Sequence, residues 1–215
     1  MKKMIAAAVA ALIAISITAC SDNKKTPAAA VSSNAGNGTG VTACGLNIAV
    51  PEDWEALTGD KIYEELFSNS SEGFETAEEL KSSYSDIGMS YVLYAVNPDR
   101  TAALTLTALE ITRDENTGEQ LTLEEYARTN HNNSIFSFQA SGYSLRDTVF
   151  AEESLGSATG WLSACEVYPD QDSEELLMGQ SEFTFEYDGY FCSLQGYYHS
   201  AEAGQQLSEL LEGIS

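Results

Sequence analysis

Few residues in this chain combine a reactive type with a spacing that chemistry could use. Cys20 stands directly after Thr18 and Ala19 at the end of an apolar run, a thiol set where it can be alkylated. The other thiols, Cys44, Cys165 and Cys192, are odd in number and show no C-x-x-C pair and no metal-ligand spacing. His131 lies among Asn130, Asn132 and Asn133, and His199 ends a strand-patterned stretch. Each reads as a surface residue before it reads as a general base. No Gly-x-Ser-x-Gly pentad, phosphate loop or dinucleotide fingerprint occurs. Asp170, Asp172, Glu174 and Glu175 open like a calcium loop, but the glycine and the distal glutamate such a loop needs are missing. A solvated hairpin loop is the plainer reading, and Asp114 to Glu119 is taken the same way. Tyr190, Phe191, Tyr197 and Tyr198 could stack on sugar rings, although packing on a sheet face is the commoner fate of strand aromatics. The sequence thus assigns no catalytic residue, no metal ligand and no cofactor, and an enzyme is not expected.

Cys20 is different because of what precedes it. Lys2 and Lys3 form a positive start, Met4 to Ile17 is almost wholly apolar, and Ile17, Thr18, Ala19, Cys20 follow. That layout is a secretory signal segment. A spanning helix needs about 20 apolar residues to cross roughly 30 Å of hydrocarbon. Here the run meets Asp22, Asn23, Lys24 and Lys25 too early. Ile17 to Cys20 resembles the lipobox of bacterial lipoproteins, which implies cleavage before a Cys20 already joined to a diacylglycerol. Cys20 is then the lipid-attachment residue, and the expected location is the extracytoplasmic face of the cell membrane, held by fatty chains such as palmitate. Two acyl chains hold where one holds only marginally, each gaining about 0.8 kcal/mol per buried methylene.

Charge narrows the partners. The 215 residues carry a formal charge of -23 from 10 basic and 33 acidic side chains. Four of the basic ones are Lys2, Lys3, Lys24 and Lys25, so the region from Cys44 onward is more one-sided still. Such a surface repels phosphate backbones, and no Lys/Arg cluster makes a local exception. Nucleic acid is excluded as a partner. Solubility is a sufficient reason for the acidity. Residues 1–19 read as signal peptide and 20–43, rich in Ala, Ser, Asn, Gly and Thr, as lipidated cysteine and flexible tether with a reach of roughly 25 Å. Residues 44–215 read as a single globular domain.

Within that domain the elements follow from alternation and caps. Leu46, Ile48 and Val50 make a strand stopped by Pro51, with Trp54 on the turn beyond. A helix around Ile62 to Phe67 and another after Thr76 and Glu79 come next. Tyr91 to Val96 is apolar on both faces and needs cover on both. Asn97, Pro98 and Asp99 turn it back into Ala102 to Ile111. Thr122 with Glu125 opens a long helix that Gly142 ends. Four strands follow: Tyr143 to Ala151, Thr159 to Tyr168, Leu176 to Tyr187 and Tyr190 to His199. The Asp188-Gly189 turn sets Tyr187 opposite Tyr190, Phe185 opposite Cys192 and Phe183 opposite Leu194. The other face carries Glu182, Thr184, Glu186, Phe191, Ser193 and Gln195 and reads as wet. If these strands are neighbours in order, Cys165 and Cys192 lie two strand spacings of about 4.8 Å each apart, too far for a disulfide. Both are expected reduced and buried. Ala201 to Ile214 closes the chain as a helix with Leu207, Leu210 and Leu211 inward.

The strand ending in Pro51, Glu52, Asp53, Trp54, the helix opening Leu121, Thr122, Leu123, Glu124, Glu125, Tyr126, Ala127, the Gly160-Trp161 strand, and the last hairpin with its helix together resemble the PsbP-like superfamily, in particular its bacterial lipoprotein branch. The resemblance spans nearly the whole domain. It implies an α+β fold, an antiparallel β-sheet with helices packed on its faces in an α/β/α sandwich, and a non-catalytic binding or assembly role for a protein or envelope component. A module for a small ligand, sugar or Ca2+, is the alternative. No ligand-binding residue carries over. Replacing Cys20 with alanine is expected to move the protein from the membrane fraction into the medium; retention of the variant with the membrane on fractionation would refute lipid anchoring.

Overall fold

The computed structural model describes residues 27–32, 39–69, 73–113 and 118–215. Residues 1–19, Cys20 and Asp114 to Thr117 lie outside the described residues. The last hairpin shows how the sheet is set. β9 (Met178–Tyr187) and β10 (Tyr190–Tyr198) are joined by Asp188 and Gly189, both at positive φ, 48° and 84°. A two-residue turn of that kind matches the right-handed twist of its strands and leaves one register. Tyr187 pairs with Tyr190, Phe185 with Cys192 and Phe183 with Leu194, as expected.

Around this hairpin the antiparallel sheet grows in both directions. β6 (Ala102–Glu110) joins β10, β5 (Met89–Val96) joins β6, and the short β4 (Glu55–Leu57) joins β5. On the other side, β8 (Ala158–Tyr168) joins β9, and β7 (Ser144–Leu155) forms that edge. A second sheet is made by β1 (Ala30–Ser32), β2 (Thr39–Ala43) and β3 (Leu46–Val50). Four helices complete the described residues: α1 (Asp60–Asn69), α2 (Ala77–Asp86), α3 (Leu123–Ala140) and α4 (Ala201–Glu212). The fold is α+β, with cover on both faces of the main sheet.

One face is dry. Leu93, Leu104, Leu106, Phe185 and Leu194 are buried there beneath Leu46 and Ile48 of the small sheet and Leu207 and Leu210 of α4. The chain end is tied in as well: Asn47 N–H donates to the Ser215 carbonyl at 2.7 Å and Ser215 N–H donates back at 3.1 Å. The opposite face carries α1, α2 and α3, which cover Tyr91, Leu109 and Phe191 at one end and Cys165, Val167 and Met178 at the other. β5 is therefore covered on both sides, as its double apolar face requires.

Helix ends agree with the sequence, with one difference. Thr122 and Glu125 form the reciprocal capping box of α3, and Gly142 follows its end at φ 85°. At α2, Thr76 Oγ1 accepts from Glu79 N–H at 3.1 Å, but the Glu79 carboxylate reaches back to Glu75 N–H at 2.8 Å. The cap is made by both side chains, on different amides.

Two expectations need correcting. The tether read over 20–43 contains β1 and β2, and Val41 is 1 % exposed. Its glycines and threonines resemble a linker only until Val41 pairs with Ile48 of β3. Most of the second face of the β9–β10 hairpin is also not wet: Glu182, Thr184, Phe191 and Ser193 are buried, and Glu186 beside the turn stays exposed. Period-two polarity marks which side chains share a face, and a helix from elsewhere in the chain then covers that face. The thiols Cys44, Cys165 and Cys192 are free and buried, with β9 standing between Cys165 and Cys192.

At Gly160 the two backbones approach so closely that a Cβ would meet the carbonyl oxygen of Thr184. Gly160→Ala is expected to cost about 1–3 kcal/mol, the range for overpacking, read as a lowered denaturation midpoint with unchanged slope.

Candidate functional site

The strand order leaves one edge half paired. β4 covers β5 only at Tyr94, Ala95 and Val96, so Met89 to Leu93 have no strand on their outer side among the described residues. The ladder to β6 also shifts register between Tyr91 and Leu93. Such an irregularity bends the strand locally. Against this open edge lies a cleft of about 680 Å3, bounded by the start of α1, the end of α2 and residues 27–29.

The cleft has an aromatic wall and an acidic rim. Tyr63 Oη accepts the Tyr91 N–H at 3.1 Å, taking one of the groups that a further strand would otherwise use. Tyr91 packs edge-on against Tyr63 and Tyr84, with ring centroids 5.9 and 5.2 Å apart. Burial pushes the Tyr63 and Tyr91 phenols above their ordinary range and keeps them neutral. Ser90 Oγ is buried with no hydrogen-bond partner among the described residues. Lys81 Nζ pairs with Asp60 Oδ1 at 2.8 Å, which holds the amine above its ordinary range and protonated. A protonated amine is no nucleophile. Asp86 and Glu110 complete the rim, and no histidine or cysteine among the described residues lines the cleft. The arrangement offers backbone hydrogen bonds, flat apolar walls and negative charge.

A second, smaller space lies under α3. The hairpin face that alternation marks as polar meets Asn130 and Ser134 of the helix around a cavity of about 60 Å3. Glu182 stands in its wall at 3 % exposure. Asn130 Nδ2 donates to Glu182 Oε1 at 3.3 Å and Thr184 Oγ1 donates to the same oxygen at 3.4 Å. Burial pushes the neighbouring Tyr126 phenol up to about 12.

The groups picked out from sequence do not converge. His131 Nδ1 lies 2.8 Å from Ser163 Oγ and its ring tilts against Phe150, which itself stacks on Trp161. Burial and the nearby Arg128 hold His131 below its ordinary range, hence neutral at pH 7. His199 Nδ1 is 2.8 Å from the Leu177 carbonyl oxygen, where it donates as the strand ends. Both histidines are half-buried and engaged, not the free surface residues expected. Asp170 Oδ1 accepts the amides of Asp172 and Ser173 at 2.9 and 2.8 Å, and Arg146 donates to the carbonyls of Gln171 and Ser173. That acidic turn is closed on itself. Tyr190 and Phe191 are buried and Tyr197 and Tyr198 half-buried in the packing. Cys44 and Cys192 touch through their thiols; that hydrogen bond and burial both hold Cys192 protonated. Burial, with the neighbouring Glu166, lifts Cys165 to about 11. No group of three His, Cys, Asp or Glu side chains that could hold a metal ion occurs among the described residues.

Sequence reasoning missed the cleft. Its one local signal is Tyr91 to Val96, apolar on both faces; which edge of that strand stays open follows only from strand order.

Comparison with protein-family models finds no match, and comparison with curated proteins finds none. Among solved structures the chain is similar to PsbP (CyanoP) of Synechocystis sp. PCC 6803, at 10 % identity and a TM-score of 0.44, over 92 % of this chain and 97 % of that one. It is also similar to LpqN of Mycobacterium tuberculosis, involved in cell envelope biogenesis, at 12 % identity and a TM-score of 0.40, over 89 % and 91 %.

Tyr63→Phe removes the acceptor of the Tyr91 amide and leaves the ring. The variant is expected to lose about 1 kcal/mol and to exchange the Tyr91 amide proton faster, measured by hydrogen exchange.

Proposed function

We propose that the protein is a lipid-anchored extracytoplasmic lipoprotein whose domain binds an envelope protein and performs no chemistry of its own. Cys20 is the anchor, and the partner supplies an extended, basic segment to the open edge of β5. The observation that carries this reading is the half-paired strand beside the cleft. Unpaired backbone groups on an edge strand are a template for another strand, and natural sheets block such edges when they are not used. Here the edge is walled by tyrosines and rimmed by Asp86 and Glu110, so a segment carrying Lys or Arg matches the charge. The formal charge of -23 works in the same direction and against nucleic acid. No helix among the described residues is long and apolar enough to cross a membrane.

The test is photo-crosslinking on intact cells. A photoreactive residue at Ser85, in the cleft wall, is expected to capture an envelope protein through a basic peptide, identified by mass spectrometry. The same residue at Glu153, on the far edge strand β7, is expected to capture nothing in common with it. Identical products from both positions, or none from Ser85, would refute the cleft as the binding surface.

A further inference from the structure

The cavity under α3 holds a buried carboxyl group, Glu182, that makes no ion pair with the described residues. Glu182 is 3 % exposed, and its hydrogen-bond donors, Asn130 and Thr184, are both neutral. The ion pairs among the described residues join Lys81 to Asp60, Arg100 to Glu55 and Glu65, and Arg128 to Glu124; none reaches Glu182. His131 is held by Ser163, which sits directly opposite Glu182 on β8. An ion pair with Glu182 would lift that imidazole, yet burial and Arg128 push it down. Arg128 is turned away, its guanidinium 4.6 Å from the Phe150 ring centre and 2.6 Å from Glu124. An isolated buried carboxylate is costly without a counter-charge.

The space beside it has a mixed wall: Met89, Leu109 and the tyrosines Tyr91, Tyr126 and Tyr197 form one part, and side chains with oxygen ligands form the other. Asn130, Ser134, Gln180, Ser193 and Gln195 share the cavity wall with Glu182. Amide, hydroxyl and carboxylate oxygens are ligands for hard cations. One carboxylate compensates one positive charge, whereas a calcium site draws on several carboxylates. A cavity of about 60 Å3 has room for a small ion with a few waters and for nothing as large as a sugar.

We infer that this cavity is a binding site for a monovalent inorganic cation, sodium or potassium, with Glu182 as its one charged ligand and neutral amide and hydroxyl oxygens completing the shell. The ion ties α3 to the centre of the sheet. The site is separate in function from the open edge of β5, so it stands whether or not that edge binds a partner.

Thermal unfolding of the purified protein in sodium, potassium and tetramethylammonium chloride at equal ionic strength tests this. The midpoint is expected to be higher by about 3 °C or more in sodium or potassium and to rise with the logarithm of its concentration. Glu182→Gln is expected to melt at the same temperature in all three salts. Crystals of the unaltered protein grown in rubidium chloride are expected to show an anomalous peak beside Glu182, which decides the matter if the variant does not fold. Equal midpoints for the unaltered protein in the three salts, or a cavity containing only water in the rubidium crystals, would overturn the inference.

Discussion

The turn at Asp188 and Gly189 imposes a parity on the centre of the molecule. With both residues at positive φ, β9 and β10 can meet in one register, and a slip of one position would turn every side chain to the other face. Phe183, Phe185, Cys192 and Leu194 go to the dry face, and Glu182, Thr184, Ser193 and Gln195 go together to the other. β6 and β8 inherit this parity through their own ladders, so Thr107 lies beside Ser193 and Ser163 beside Glu182. A polar stripe across the middle of the sheet is the direct result.

What covers the two faces then differs in kind. The dry face can be closed by apolar contact alone, which asks for volume and shape, and the small sheet with α4 supplies both. The striped face has to be closed by helices that also hydrogen-bond. α3 does so through Asn130 to Glu182 and His131 to Ser163, while its Tyr126 stacks on Phe191 with ring centroids 4.6 Å apart. Buried polar groups that are fully partnered specify one arrangement; partly partnered ones leave space and charge for something else. The cavity beside Glu182 is of the second sort.

The cleft arises from a similar shortfall at the sheet's margin. β4 is three residues long and β5 eight, so part of the outer edge of β5 is left to Tyr63 and to solvent. Helices α1 and α2 pack on the face of β5 beside that edge and do not complete it. Both open features therefore come from cover that is shorter or more polar than the surface beneath it. Among the described residues, neither brings an activated nucleophile together with a base.

Local physics was readable along the chain because each signal lies within a few residues. The Asp-Gly turn and its pairings, the capping box at Thr122 and Glu125, the two-faced β5 and the inward leucines of α4 all depend on neighbours in sequence. The resemblance of Ile17 to Cys20 to a lipobox likewise rests on a local pattern. Tertiary structure decided what no local pattern contains. Thr39–Ala43 has linker composition and becomes a strand because Ile48 is there to pair with Val41. The polar stripe looks wet in sequence and is buried because α3, some fifty residues away at Asn130, lies over it. The open edge exists only because β4 stops early. Alternation reports which side chains face together, but burial depends on what arrives from elsewhere in the chain, and that is settled by packing.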